Sequence, residues 1–128
     1  MAFKHLRTVA SGVAIGAASW FFASVVSGEF EVYDSSMELA VNHSILSVSA
    51  TLVAMRYRAS AALLFIVSAY FGLNGFAYVM GSSESRVLVG LGAMVSGLLF
   101  LIPVVAALGA ATVRTLLRTR ARSQSCLP

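Results

Sequence analysis

Long uncharged runs dominate this sequence, and their lengths restrict what it can fold into. Between Arg7 and Glu29 the chain reads "TVASGVAIGAASWFFASVVS" at positions 8–27, without one charged side chain. Three further runs follow at 38–55, 59–80 and 87–113, the second reaching span length only by taking in Glu38. A helix needs ~20 predominantly apolar residues to cross ~30 Å of hydrocarbon, and each run approaches or exceeds that length. The composition agrees: 59% of the residues are hydrophobic and 11% charged, against about a quarter charged in an ordinary soluble domain. The expected fold is all-α, a single integral membrane domain over residues 1–128. Four transmembrane helices would form an up-down bundle, followed by a basic tail at 114–128.

The fourth run is longer than a span requires, ~40 Å at ~1.5 Å per residue, so it is predicted to tilt or kink. Pro103 supplies a cause, because it has no N–H to offer the carbonyl of Leu99. The connections left between runs are short, so spans two and three are antiparallel neighbours, as are spans three and four.

Charge sets the orientation. With the amino terminus in the cytoplasm, Lys4, Arg7, Arg56, Arg58, Arg114, Arg118, Arg120 and Arg122 fall on the inner side. Glu29, Glu31, Asp34, Glu38 and Glu84 fall outside, with Arg86 as the single base among them. Short loops obey a Lys/Arg bias toward the cytoplasm, and an even span count puts both basic termini there. The predicted location is a bacterial-type cytoplasmic (inner) membrane, both termini in. A cleavable leader ending before Glu29 is the rival reading of the first run. Leader cores are ~7–15 residues long, and this run is longer and carries Trp20, Phe21 and Phe22 near its end, so it reads as a span.

Lipid tails offer helices no hydrophobic reason to associate, so small residues and hydrogen bonds should mark the seams. Gly12 and Gly16, continued at helical intervals by Ser19 and Ala23, form the clearest such stripe. Ser68 with Gly72 and Ala93 with Gly97 are weaker examples. Whether the stripe joins helices of one chain or of two chains is left open by the sequence.

The second run is salted with polar residues. At ~100° per residue, His43, Ser47 and Thr51 climb one side, with Ser44 adjoining, while Glu38, Asn42 and Ser49 lie nearly opposite. Two polar stripes predict span two to be the most enclosed helix. Tyr70, Asn74 and Tyr78 form a third stripe on span three. Asn42, His43 and Asn74 should lie at similar depth, which makes Glu38, Asn42, His43, Ser47, Asn74 and Tyr78 a candidate polar cluster between neighbouring spans. One account is interhelical hydrogen bonding, ~0.6 kcal/mol per contact on average, with Tyr78 at the interface. The other is a vestibule for an ion, proton or small polar ligand, with His43 as the titrating group and Glu38 as its outer charge.

Several chemistries find no support. His5 and His43 belong to opposite sides of the membrane, and the lone Cys126 adds no tetrahedral ligand set and no intrachain disulfide. There is no phosphate loop, dinucleotide fingerprint or serine–histidine–acid set, and no acid in the middle of a span. The expectation is a protein that is not an enzyme and carries no cofactor or metal. In the tail, Arg114, Arg118 and Arg122 share a helical face, suited to anionic headgroups at ~1 kcal/mol per base and not to nucleic acid. Two functional classes remain. One is an accessory or interaction subunit packing against itself, as a homo-oligomer, or against a larger membrane complex. The other is an oligomeric channel, permeabilising or small transport protein whose polar path is lined by spans two and three.

Overall fold

The structure is a computed structural model, and it describes residues 2–28, 36–87 and 89–125. The acidic connection at 29–35 and Cys126 lie outside them. The described residues are helical throughout, with no sheet: α1 (Ala2–Ser27), α2 (Ser36–Arg56), α3 (Ala59–Met80), α4 (Ser83–Val87), α5 (Val89–Leu99) and α6 (Leu101–Ser125). Four stretches are long and apolar enough to cross a membrane: His5–Ser27, Ser36–Arg56, Ala59–Met80 and Gly90–Ala121, the last combining most of α5 with α6.

Helix ends fall where local chemistry puts them. Gly28 closes α1 with φ +76° and sends its amide to the Ser24 carbonyl at 2.9 Å, a left-handed cap that glycine adopts without a Cβ penalty. The fourth span breaks at Phe100, between α5 and α6, one residue after the carbonyl that Pro103 cannot serve. Helical bonding resumes around the break, from Phe100 N to Ser96 O at 2.9 Å and from Val104 N to Phe100 O at 3.2 Å. The short connection that begins at Gly81 carries the helix α4. The tail stays helical to Ser125.

The most extensive interface joins α1 to α3, followed by α2 to α6, with α1–α2 and α2–α3 contacts uniting the two pairs. Register along α1 and α3 advances together: Gly12 lies against Phe65 and Ser68, Gly16 against Ala69, and Trp20 against Phe76 with ring centroids 5.4 Å apart. These two helices therefore run parallel. On α2 and α6, His43 meets Phe100 and Ala54 meets Arg114, so they run parallel as well. The core contains Trp20, Leu46, Phe65, Ile66, Leu73 and Phe100, spaced by alanines at 50, 54, 62, 69, 77 and 107.

Backbones touch at the α1–α3 seam. A Cβ on Gly12 would stand 2.6 Å from the Phe65 carbonyl oxygen and 2.7 Å from the Ser68 Cβ. On Gly16 it would collide with the Ala69 carbonyl, and on Gly72 with the Val13 carbonyl. Each of those directions is occupied instead by a glycine Hα aimed at a carbonyl oxygen on the opposite helix. Such Cα–H···O contacts contribute ~0.5–1 kcal/mol apiece.

Enclosure follows this close packing and not polarity. Over the most apolar 18 residues of each span, 39% are buried in α3 and 33% in α2, so span two is not the more enclosed of the two, against the expectation. The reason is steric: Ala62, Ser68, Ala69, Gly72 and Ala77 are all buried on α3, and small residues let it meet α1, α2, α5 and α6.

Gly16→Ala and Gly72→Ala should each destabilise the bundle, toward the upper end of the ~1–3 kcal/mol typical of overpacking. The obstacle is backbone, so the ~1 kcal/mol gain in helix propensity does not offset it. Gly75→Ala and Gly109→Ala, where a Cβ meets nothing within 4 Å, should be neutral or stabilising by up to ~1 kcal/mol. Unfolding in mixed detergent micelles checks both pairs.

Candidate functional site

The polar residues of α2 divide between two neighbours. Asn42, 1% exposed, turns to α1, where the Ser19 hydroxyl lies 3.1 Å from its Oδ1. That hydroxyl also lies 2.8 Å from the Gly16 carbonyl, so its one proton is shared between the two acceptors. His43 turns toward the α5–α6 break and meets the Phe100 ring edge-on at 6.4 Å. Its Nδ1 lies 2.9 Å from the Leu39 carbonyl. A carbonyl cannot donate, so Nδ1 carries a proton, and whenever the ring is neutral its lone pair is at Nε2.

Glu38 is buried, in the first turn of α2. A carboxylate there faces the positive end of the helix dipole. The sequence contains a signal for this role beyond hydropathy: Ser35-Ser36-Met37-Glu38 has the S-x-x-E spacing of a capping box, although Ser35 lies outside the described residues. Ser47 has its Oγ buried, Ser49 and Thr51 are half-buried, and Ser44 is exposed.

The polar stripe of α3 goes elsewhere. Asn74 donates from Nδ2 to the Tyr70 carbonyl at 2.9 Å, which leaves Oδ1 toward α5, where Ser96 Oγ donates to it at 3.2 Å. Tyr70 reaches the same helix, its hydroxyl donating to the Ala93 carbonyl at 2.7 Å. With that bond and its own helical N–H, the Ala93 oxygen is saturated, so the Ser96 proton favours Asn74 even though Ala93 O lies at 3.1 Å. Tyr70 and Asn74 thus clamp α5 onto α3. The ring of Phe100 packs against both polar sets, 5.2 Å from Tyr70 and 6.4 Å from His43 by centroids. The cluster expected between spans two and three is therefore brought together only in part. Asn42 meets Ser19, Asn74 meets Ser96, and an aromatic ring lies between Tyr70 and His43.

Tyr78 is exposed at the far end of α3, with the Arg86 guanidinium 5.8 Å over its ring. Arg86 also donates from Nε to the Tyr78 carbonyl and from Nη2 to the Val79 carbonyl, each at 3.1 Å. Gly81 N takes the Ala77 carbonyl at 2.8 Å, so three of the four carbonyls that a helix end leaves open are served. The one base on the acidic side is a helix cap. Arg114 does the same at the other end, donating from Nη1 to the Ala54 carbonyl of α2 at 3.0 Å.

Of the proposed seam, Gly12 and Gly16 pack on α3, Ser19 faces α2, and Ala23 is fully buried. Arg118 is exposed, and the Arg122 side chain lies outside the described ones. Among the described residues no group of three or more His, Cys, Asp and Glu is arranged to hold a metal ion. Compared with protein families, curated proteins and solved structures, the chain matches none.

Tyr70→Phe and Asn74→Leu remove the α3–α5 clamp, at about 0.5–1.5 kcal/mol per hydrogen bond lost. Amide exchange should accelerate across α5 while α1 and the buried half of α3 keep their protection. Equal acceleration in all helices would contradict a local clamp.

Proposed function

We propose that this chain is a small non-enzymatic integral membrane protein, an accessory or interaction subunit whose working surface is the cytoplasmic end of α6. The observation that carries the reading is the extent of that helix. Arg114 is tied to Ala54, two residues from the end of α2, yet α6 continues unbroken to Ser125. The continuation, residues 115–125, is about 16 Å long at ~1.5 Å per residue. Leu116 and Leu117 on it are 60% and 55% exposed, and Arg118 and Arg120 are exposed beside them. A basic helix with uncovered leucines suits contact with anionic headgroups and with a larger membrane protein partner or a second copy.

Support for insertion is compositional. Phe71, Val79, Met94, Leu98 and Val105 are each at least 66% exposed, an outside better solvated by acyl chains than by water. Four spans with Lys4, Arg7, Arg56, Arg58 and the tail arginines on one side fit an up-down bundle in the inner membrane with both termini cytoplasmic. The bonds from Asn42 to Ser19 and from Asn74 to Ser96 favour interhelical bonding over a pore lining.

Two experiments test this. In a Cys126→Ser background, membrane-impermeant thiol reagents should label Glu31→Cys from outside and leave Tyr57→Cys unlabelled until the membrane is opened. Labelling of position 57 from outside would overturn the orientation. Truncation after Arg114 should abolish co-purification of the partner or second copy while the truncated chain still inserts. The channel reading would replace this one if the intact protein made vesicles leak and Asn42→Leu or Asn74→Leu stopped the leak.

A further inference from the structure

Many hydroxyls in these helices follow one habit, and Ser47 does not, although its oxygen is buried. A helical serine or threonine ordinarily returns its proton to the carbonyl three or four residues back. Ser24 does so to Trp20 O at 3.0 Å, Ser68 to Leu64 O at 2.7 Å, and Ser19 to Gly16 O at 2.8 Å. Thr112, Thr115, Thr119 and Ser123 do the same on α6. The Ser47 oxygen is buried and has no hydrogen-bond partner among the described residues. One turn back on the same side of α2, the Nε2 of His43 is in the same condition. His43 itself is 6% exposed, so water outside the bundle does not serve it.

These two atoms define what would satisfy them. With Nδ1 committed to Leu39 as donor, neutral His43 needs a hydrogen-bond donor at Nε2. Ser47 has a proton to give and lone pairs to fill. A ligand between them must donate to the ring nitrogen and exchange a hydrogen bond with the hydroxyl. Apolar chains fail this requirement. Water meets it, needs only about one probe sphere of space (~10–15 Å³), and commonly fills such vacancies between buried polar groups.

The geometry points to a discrete internal water site on the His43 side of α2, bridging His43 Nε2 and Ser47 Oγ near Phe100. This inference stands on helix packing alone and does not depend on the accessory-subunit reading. It makes His43 a hydrated base inside the bundle and not merely a packing residue.

Solid-state NMR of the full chain in lipid bilayers, with histidine and serine isotopically labelled, tests it. A His5→Gln background leaves one histidine, and alkaline pH keeps its ring neutral. The expected result is a proton on Nδ1, a bare Nε2, and polarisation transfer from water to both His43 and Ser47. Ser19 and Ser96, bonded to protein carbonyls, should receive little and serve as internal controls. Ser47→Ala, which retains a good helix former, should reduce transfer at His43 to the control level and move the Nε2 resonance toward that of an unbonded nitrogen. A proton on Nε2, no transfer to His43, or transfer unchanged in Ser47→Ala would each overturn the site. Equal transfer to Ser19 and Ser96 would also overturn it, by showing a generally wet interior.

Discussion

The approach of α1 to α3 is the constraint from which the other contacts follow. Two helices whose glycine Hα atoms face each other's carbonyls cannot rotate about their axes without driving side chains into backbone. Once Gly12 and Gly16 are committed to α3, Ser19 and Trp20 have no choice of direction. Ser19 is left toward α2 and finds Asn42, while Trp20 reaches Phe76 higher on α3. Gly72 makes the lock reciprocal, since its own missing Cβ admits the Val13 carbonyl. Such contacts and the hydrogen bonds beside them set the geometry.

Polar groups in this protein mostly serve backbone carbonyls. Arg86 and Arg114, which look unlike in sequence, perform one task at opposite ends of the bundle. Each supplies guanidinium protons to the open end of a neighbouring helical segment. Open carbonyls are costly away from water, and arginine can satisfy one while its remaining donors and long stem reach elsewhere. This accounts for the single base in the connection between spans three and four. It also gives Arg114 a structural duty in addition to whatever it does at a headgroup.

Much of the architecture was legible from the residues because its causes are local. Span lengths follow from gaps between charges, and the break at Phe100 follows from the missing N–H of Pro103. The small-residue stripe of α1 is visible from periodicity alone. What periodicity gives is a face, not the neighbour that covers it. Periodicity assigns Asn42, His43 and Asn74 to particular sides of their helices, but which helix meets each side depends on how α1 packs against α2 and α3. Equating polarity with enclosure failed for the same reason. Hydrogen-bonding side chains do not draw helices as close as glycine and alanine do, and α3 carries the small residues. The caps made by Arg86 and Arg114 join groups through folding, without a motif that spacing would reveal.

The broken fourth span then acquires a role of its own. Its first part, α5, is held by Tyr70 and Asn74 of α3, and its second part, α6, packs along α2 and is pinned there by Arg114. A straight helix keeps one heading, and the neighbours it meets at one end constrain those it meets at the other. Loss of a single backbone bond before a buried proline relaxes that constraint at the point where the span changes partner. Phe100 sits at this joint and packs against Tyr70 on one side and His43 on the other. Pro103 is thus a device for letting one span close two interfaces. Because α6 is positioned by α2 and not by α5, the heading of its C-terminal extension is set by the α2 contact, which the His43–Ser47 site adjoins.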